Sequence, residues 1–471
     1  MRLNQQLILL ASALMLQLCV AGCAKEKYIA KPINQAQIVN QLINKDIASA
    51  EFQAYLLDQG YLPSQLPFSS WGLDELTNCA LFHHTKLNVA KAQLALANAK
   101  MDTANFRQTP IINSEIARSN QKNNDIKPWA LGLNVQIPIE TTNKRAIRVE
   151  EARFLAEAAK LDVADIAWQL RSQIAKDLLR YYHHIAHIKV LKHELDTQTK
   201  IVKLLQKRLD LGAISNTDLG SANATLQKTR IALLEEQARW AEIRANLAED
   251  VGLTTEKFDA ISLKPLDMDE TLSAYRSWIN DAVKFKTLQA DALLNRIDVR
   301  RSLAKYSAAE AKIKLEVAMQ TPDISLSPGY AFEFGDSVWS LGFSTLLNLL
   351  QKNQTLINEA TILREIEGAQ FEALQASIIA TLNQKIVDYQ TSIELIKNLN
   401  TQLDVQLQHA KKFNKQFEAG LIDRLEVTLN QANGFAIEKQ LLSEKHQLLK
   451  SLLAIEDVVQ KPLIKASLTF N

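Results

Sequence analysis

The sequence predicts a mainly α protein that builds one layout twice: a helix, a pair of short strands, a long helix, a tight tip and a returning helix. Three observations predict it. Breakers are scarce, with 13 glycines and 10 prolines in 471 residues, and none between Ile139 and Leu211, a stretch that as one helix would reach about 110 Å. Apolar residues recur there at alternating spacings of three and four: Ile174, Leu178, Tyr181, Ile185, Ile188, Leu191 and Leu195, then Val202, Leu205 and Leu209. That is the period of a coiled-coil seam. The pattern then returns. "LDLGAISNTDL" from Leu209 is answered by "FEAGLIDRLEV" from Phe417, Pro110 by Pro322, and "WALGL" by "WSLGF", at an offset of about 210 residues that suits a duplicated half better than a solenoid repeat.

In chain order the first element is a leader. Arg2, the apolar run from Leu7 to Leu18 and the small residues before Cys23 read as a signal peptide over 1–22. The run is too short for a spanning helix, and Lys25, Glu26 and Lys27 follow too soon. "VAGC" resembles a bacterial lipobox, which implies cleavage before Cys23 and acylation of that cysteine. Ala24 rather than aspartate follows, which in such lipoproteins implies the outer membrane. The plainer alternative is a cleaved signal with a chance cysteine. With Cys19 in the leader and Cys23 capped, Cys79 stands alone, so no disulfide is expected, and "LTNCALF" suits a small buried helical residue.

Residues 23–72 read as a linker with a short helix, 73–260 as the first repeat and 261–471 as the second. The stretch from Val251 to Asp269, around Pro265, joins them.

Between the helices the apolar period falls to two. In "PWALGLNVQIPIE", Trp129, Leu131, Leu133, Val135, Ile137 and Ile139 alternate with Ala130, Gly132, Asn134, Gln136 and Pro138, a strand with one apolar face. Its partner is "PIINSEIARS". In the second half "DISLSPGYAFEF" sets Ile324, Leu326, Tyr330, Phe332 and Phe334 against Ser325, Ser327, Ala331 and Glu333, and "WSLGFSTLL" returns from Trp339. Strands of about ten residues cross a bilayer core when tilted. Four cannot close a barrel, and an open edge in hydrocarbon leaves backbone groups unpaired, so spanning requires further copies of the chain. The alternative packs the apolar faces on helices in a soluble α+β core.

The second seam holds Ile378, Leu382, Ile386, Tyr389, Ile393, Ile396, Leu399, Leu403 and Leu407. Each seam runs into its glycine, Gly212 or Gly420, where a left-handed helix end is expected. Returning helices then run to about Asp250 and Gln460, with Ser215 or Asn216 as the first N-cap. Asp218 and Glu426 each lie six residues past the glycine, where a helix dipole favours acids.

Chemistry-bearing motifs are few. A formal charge of +2 offers no field for nucleic acid. "YYHHIAH" holds His183, His184 and His187, and His183 and His187, one turn apart, can chelate zinc or copper. No carboxylate completes a catalytic set, and packed or solvated histidines are the plainer reading. Neither a nucleophile, a phosphate loop nor a complete metal set stands out. The expectation is no enzyme, no metal site and no cofactor.

Taken together, the two tips, the strand starts "TPIINS" and "TPDISLSPGY", the helix "NRIDVRRSLAKYSAAEA" and the lipobox resemble the TolC family of outer membrane efflux ducts, from about Trp71 onward. "IPIETTNKRAIRVEEA" is similar to ducts of cobalt-zinc-cadmium resistance systems, which usually read P-x-E-x-x-G-K-R. Asn143 stands where glycine is common, and asparagine tolerates a left-handed turn.

The resemblance implies a homotrimer whose strands form one 12-stranded transmembrane barrel and whose helices form a hollow periplasmic α-barrel. It implies passive conduction from an inner membrane pump and a periplasmic adaptor, with the adaptor docked on Leu211, Gly212, Ala213, Ala419, Gly420 and Leu421. It also implies an acidic constriction near Glu426, for which Asp218 and Asp423 are further candidates. Leu429 stands where such ducts often carry a second acid. Trp129 and Trp339 hint at an aromatic girdle, and Lys144, Arg145 and Arg148 suit an interface with outer membrane lipid. The rival reading is a lipid-anchored periplasmic coiled-coil adaptor or scaffold without a pore. The cargo, metal ions or drugs, stays open.

Overall fold

The structure is a computed structural model that describes residues 28–120, 129–279, 282–345 and 353–463. The leader and Cys23 lie outside the described residues. The chain divides into two compact units, Met1–Lys45 and Asp46–Asn471. In the first, helix α1 (Gln35–Ile43) starts at Asn34, whose side chain accepts the Gln37 N–H.

The second unit opens with α2 (Ala50–Asp58), α3 (Leu73–His83) and α4 (Thr85–Ala104). Strands β1 (Ile111–Arg118) and β2 (Trp129–Ile139) follow, then α5 (Lys144–Asp210) and α6 (Asn216–Val251). Three helices come next: α7 (Thr255–Asp259), α8 (Met268–Ile279) and α9 (Ala282–Asn295). The sequence of elements then recurs as α10 (Ile297–Ala318), β3 (Ile324–Glu333), β4 (Asp336–Thr345), α11 (Gln354–Glu418) and α12 (Arg424–Val459).

The long helices α5 and α11 hold 67 and 65 residues, each about 100 Å at 1.5 Å per residue. Each starts from a left-handed asparagine, Asn143 (φ 57°) and Asn353 (φ 56°). Asn353 also donates to the backbone oxygen and carboxylate of Glu316, both at 2.8 Å.

The seam is broader than a two-helix hairpin needs. Besides α6, α5 packs on α4, α10 and α12, whereas α11 packs mainly on α10 and α12. Ala175, Leu179 and Ile201, off the expected stripe, are therefore buried, while Ile185 and Leu407, on it, are exposed. The apolar residues of α5 are shared between its own hairpin and the second one. The main core gathers Ile174, Leu178, Ile243, Leu247, Leu382 and Leu449, with Phe52, Trp71 and the buried Cys79.

The region expected as a simple joint is more elaborate. Gly252 (φ 81°) ends α6 so close to α3 that a Cβ would stand 3.1 Å from the His83 carbonyl carbon. Trp71 donates its N–H to Ser262 O, and Lys264 returns its N–H to Trp71 O. A strap from before the first repeat thus crosses the joint.

The four strands form one antiparallel sheet in the order β1-β2-β3-β4. The β2–β3 ladder joins the two halves, pairing Leu131 with Phe332, Leu133 with Tyr330 and Ile139 with Ile324. β1 and β4 are the edges, each paired on one side only among the described residues.

Candidate functional site

Residues opposite one another in an antiparallel ladder share a face, so the register assigns the two faces of the sheet. One carries Ile112, Ile116, Leu131, Leu133, Tyr330, Phe332, Trp339 and Phe343; the other carries Ala130, Gly132, Asn134, Ser327, Gly329, Ser340 and Gly342. Among the described residues no helix covers the apolar face: Trp339 is 82% and Phe343 73% exposed. The small and polar residues of β2 are half-buried, as is Val135, and Asn113 donates to Asn134 across that side at 3.2 Å. This inverts the arrangement of a soluble core, where the greasy face would be packed. The packing that the α+β alternative expects is not seen among the described residues. Trp129 lies at the end of β2 far from α5 with Arg118 over its ring, and Trp339 meets Tyr330 at 4.8 Å between centroids.

Where the sheet meets the helices, the cationic cluster behaves differently from expectation. Lys144, the first residue of α5, is 2% exposed. Its ammonium donates to Thr321 O at 2.6 Å and to Asp323 Oδ1 at 2.7 Å. The same Asp323 oxygen accepts the Thr141 N–H at 3.0 Å, and Thr141 Oγ1 donates to Pro322 O. Burial would raise the Asp323 carboxyl, but these bonds outweigh it and hold it below the usual carboxylate range. Arg148 is likewise held, by Glu140 at 2.6 Å. A cation at a helix N-terminus opposes the dipole, and both side chains turn to a carboxylate beside the strand ends. Arg145, between them in sequence, is half-buried.

The tips follow the expected turn. Gly212 (φ 69°) and Gly420 (φ 70°) both end their helices left-handed. The N–H of Gly212 reaches Leu209 O at 2.8 Å and that of Ala213 reaches Arg208 O at 2.8 Å. In the second copy, Gly420 and Leu421 bond Phe417 O and Gln416 O, both at 2.9 Å. These are Schellman closures, and no neighbour within 4 Å would meet a Cβ at either glycine. Ala419 caps α11. Leu211 and Leu421 project strongly into solvent, at 83% and 75% exposure.

Two of the three acids near the tips are committed to caps. Ser215 caps α6, and Asp218 accepts its N–H at 3.0 Å and its hydroxyl at 2.8 Å, bonds that depress the Asp218 carboxyl. Asp423 caps α12 by accepting the N–H groups of Leu425 and Glu426 at 2.9 and 3.1 Å. Its other oxygen takes the guanidinium of Arg208, from the first hairpin. Glu426 is exposed, at a shallow groove shared with Phe413, Ile422 and Leu429.

Midway along the hairpins lies a cluster the sequence revealed only in part. Glu236 on α6, nearly fully buried, receives His184 Nδ1 at 2.6 Å and His187 Nδ1 at 2.9 Å on one oxygen, with Arg239 at 3.5 Å on the other. Burial alone would raise its pKa, but the two imidazoles hold the carboxyl well below the usual range. His183 instead meets His446 of α12, ring centroids 4.4 Å apart. Burial, with like-charged histidines nearby, pushes His183 down to about 4 and His446 to about 3. A carboxylate does therefore meet the "HHIAH" run, from 52 positions away in sequence, where no local spacing signals it. Among the described residues no group of three or more donors is gathered as a metal cage.

Comparison with known proteins follows this geometry. The sequence matches the family described as "Outer membrane efflux protein" over residues 76–253 and 288–459. Over 375 residues it is 21% identical to the pyoverdine export outer membrane protein OpmQ of Pseudomonas aeruginosa, covering 74% of this chain and 75% of that one. Over 312 residues it is 24% identical to the cobalt-zinc-cadmium resistance protein CzcC of Cupriavidus metallidurans, covering 62% and 68%. The solved outer-membrane channel OprN has the same fold, with a TM-score of 0.67 at 19% identity over 83% of this chain and 90% of that one.

Proposed function

The chain belongs to the outer membrane efflux protein family, and on that premise we propose that three copies close into one duct that conducts substrate from an inner membrane pump and periplasmic adaptor to the exterior. One observation carries this reading: a four-stranded sheet with its apolar face uncovered and both edges open. In hydrocarbon such a sheet must close, and three copies supply twelve strands, an even number within the known range of bacterial barrels.

The helices favour the same closure. On the β1 side, α4 and α6 leave Val89, Leu96, Ile231 and Leu234 exposed, while on the β4 side α11 exposes Ile362, Val387 and Val405. The two flanks are different surfaces, so each copy meets the next head to tail, and a heterologous contact of this kind makes a ring when its rotation closes. The small and polar sheet face then lines the water-filled side. The repeats, 73–260 and 261–471, supply one hairpin each to the periplasmic wall.

Acylated Cys23 anchors each copy in the outer membrane leaflet. The tips at Leu211, Gly212, Ala213, Ala419, Gly420 and Leu421 receive the adaptor, with the two exposed leucines as apolar contacts. Glu426 rings the constriction, on helices capped by Asp423 and, in the first repeat, by Ser215 and Asp218. Trp129, Trp339 and Arg145 meet the lipid interface. OpmQ is named for pyoverdine export and CzcC for metal resistance, so metal ions and small organic molecules are both candidate cargoes. Conductance in planar bilayers tests the duct. Discrete channels from purified full-length protein are expected; protein that inserts without conducting would favour the pore-less scaffold.

A further inference from the structure

Where β2 passes into α5 lies a cavity of about 500 Å3. Ile137 and Ile139, the last two residues of the apolar face on β2, are 37% and 47% exposed and line it together with Arg107, Glu140, Arg145 and Ala146. The charges around it do not cancel. Lys144, also at the wall, is held by Asp323, and Glu140 is held by Arg148 at 2.6 Å, so each of these pairs is neutral. Arg107, in the link from α4 to β1, and Arg145, in the first turn of α5, make no ion pair among the described residues. Two guanidinium charges are left over. The first turn of α5 adds donors beside them. Asn143 does not cap it with its side chain, and among the described residues the N–H groups of Arg145 and Ala146 meet no acceptor, while those of Lys144 and Ile147 bond Thr141 O and Asn143 O. An anion with several acceptor oxygens, such as a phosphate, suits this set of forked and backbone donors.

The apolar wall decides what carries the phosphate, because a free ion gains nothing from two isoleucines. We propose that the cavity binds a membrane phospholipid, with Arg107 and Arg145 on the phosphate oxygens and an acyl chain along Ile137 and Ile139. The proposal deepens the reading of a membrane-spanning duct and rests on it: if the strands fill the hydrocarbon, the groups just past their ends stand at the depth of the headgroups. The bound lipid ties the start of α5 to the membrane surface.

The test is native mass spectrometry of the purified full-length protein in detergent after incubation with phosphatidylglycerol, with a diacylglycerol of the same chains and inorganic phosphate as the other arms. One phosphatidylglycerol per chain should be retained, diacylglycerol should not, and inorganic phosphate should fail to displace the lipid. Arg107→Gln and Arg145→Gln should each weaken retention about ten- to a hundred-fold, as expected for the loss of a hydrogen bond to a charged group, and the double variant should retain none. Lys192→Gln/Lys203→Gln removes two exposed charges that lie at least about 70 Å along α5 from the junction, and it should bind as the unmodified protein does. Circular dichroism of each variant separates loss of binding from loss of fold. The subunit count in the same spectra, and the conductance of the unmodified protein, report on the duct separately. A conducting trimer that retains no phospholipid, or that gives it up to inorganic phosphate, would overturn the proposal and leave the duct standing, as would undiminished retention in a folded double variant. A protein that neither assembles nor conducts would overturn the duct and the lipid site together.

Discussion

Replacing Lys144 by methionine keeps the aliphatic stem and deletes the ammonium that ties α5 to the start of β3. The charge is 2% exposed and makes two bonds, to Thr321 O and Asp323 Oδ1, while the Asp323 side chain is 29% exposed. Stripping one member from a buried pair costs about 3–5 kcal/mol, and partial rehydration of Asp323, which keeps its Thr141 N–H, brings the figure to about 2–3 kcal/mol. The bond ties segments 179 positions apart in sequence. If it forms late in folding, the loss falls on unfolding, which should accelerate by about 30- to 150-fold. The assay is the decay of heat-resistant oligomer and of sheet circular dichroism at fixed temperature, for Lys144→Met, Asp323→Asn and the double variant. The double variant should unfold no faster than the worse single one, with a coupling of about 1–3 kcal/mol. Singles that decay at the unmodified rate, or a double variant equal to their sum, would refute the buried tie.

Further predictions concern the tips and the histidines. Gly212→Trp places a bulky residue in a left-handed conformation at a cost of about 1–2 kcal/mol; membrane oligomers should persist while efflux is lost, and surviving efflux would remove the docking role. Glu426→Gln should alter cation block in single-channel records, whereas Asp218→Asn should mainly loosen the α6 cap, seen as faster hydrogen exchange over the first turn. His183 and His446 have folded pKa values depressed to about 4 and 3 from 6.5. Their contribution is therefore complete above about pH 6.5 and lost as pH falls toward 4 and then 3. The protein should lose stability across that window, and His446→Phe should flatten the loss; equal acid sensitivity in that variant would count against the buried neutral pair.

The periodic features were readable because they are local. Alternation gave β2 and β3, the glycine-free run gave α5, and Gly212 and Gly420 marked the turns because a positive φ favours that residue. Asn353 carries the same signal as Asn143 one repeat later, and the offset between the copies points straight to it. What stayed hidden is long-range. The inward turn of Lys144 depends on Asp323, the placement of His184 and His187 on Glu236, and the burial of His183 on His446, each far away in sequence. The breadth of the α5 seam follows from its contact with the second hairpin, which a heptad pattern within one helix does not encode. Asp218 and Glu426 look equivalent by spacing, yet Asp218 is bound to Ser215 while Asp423 occupies the cap position beside Glu426.

Native mass spectrometry of the detergent-extracted, full-length protein tests the closure of the sheet most directly. A single species of three subunits is the expected result. A stable species of one subunit would mean that the edges of β1 and β4 find no partner, and a duct formed by joined copies could not exist.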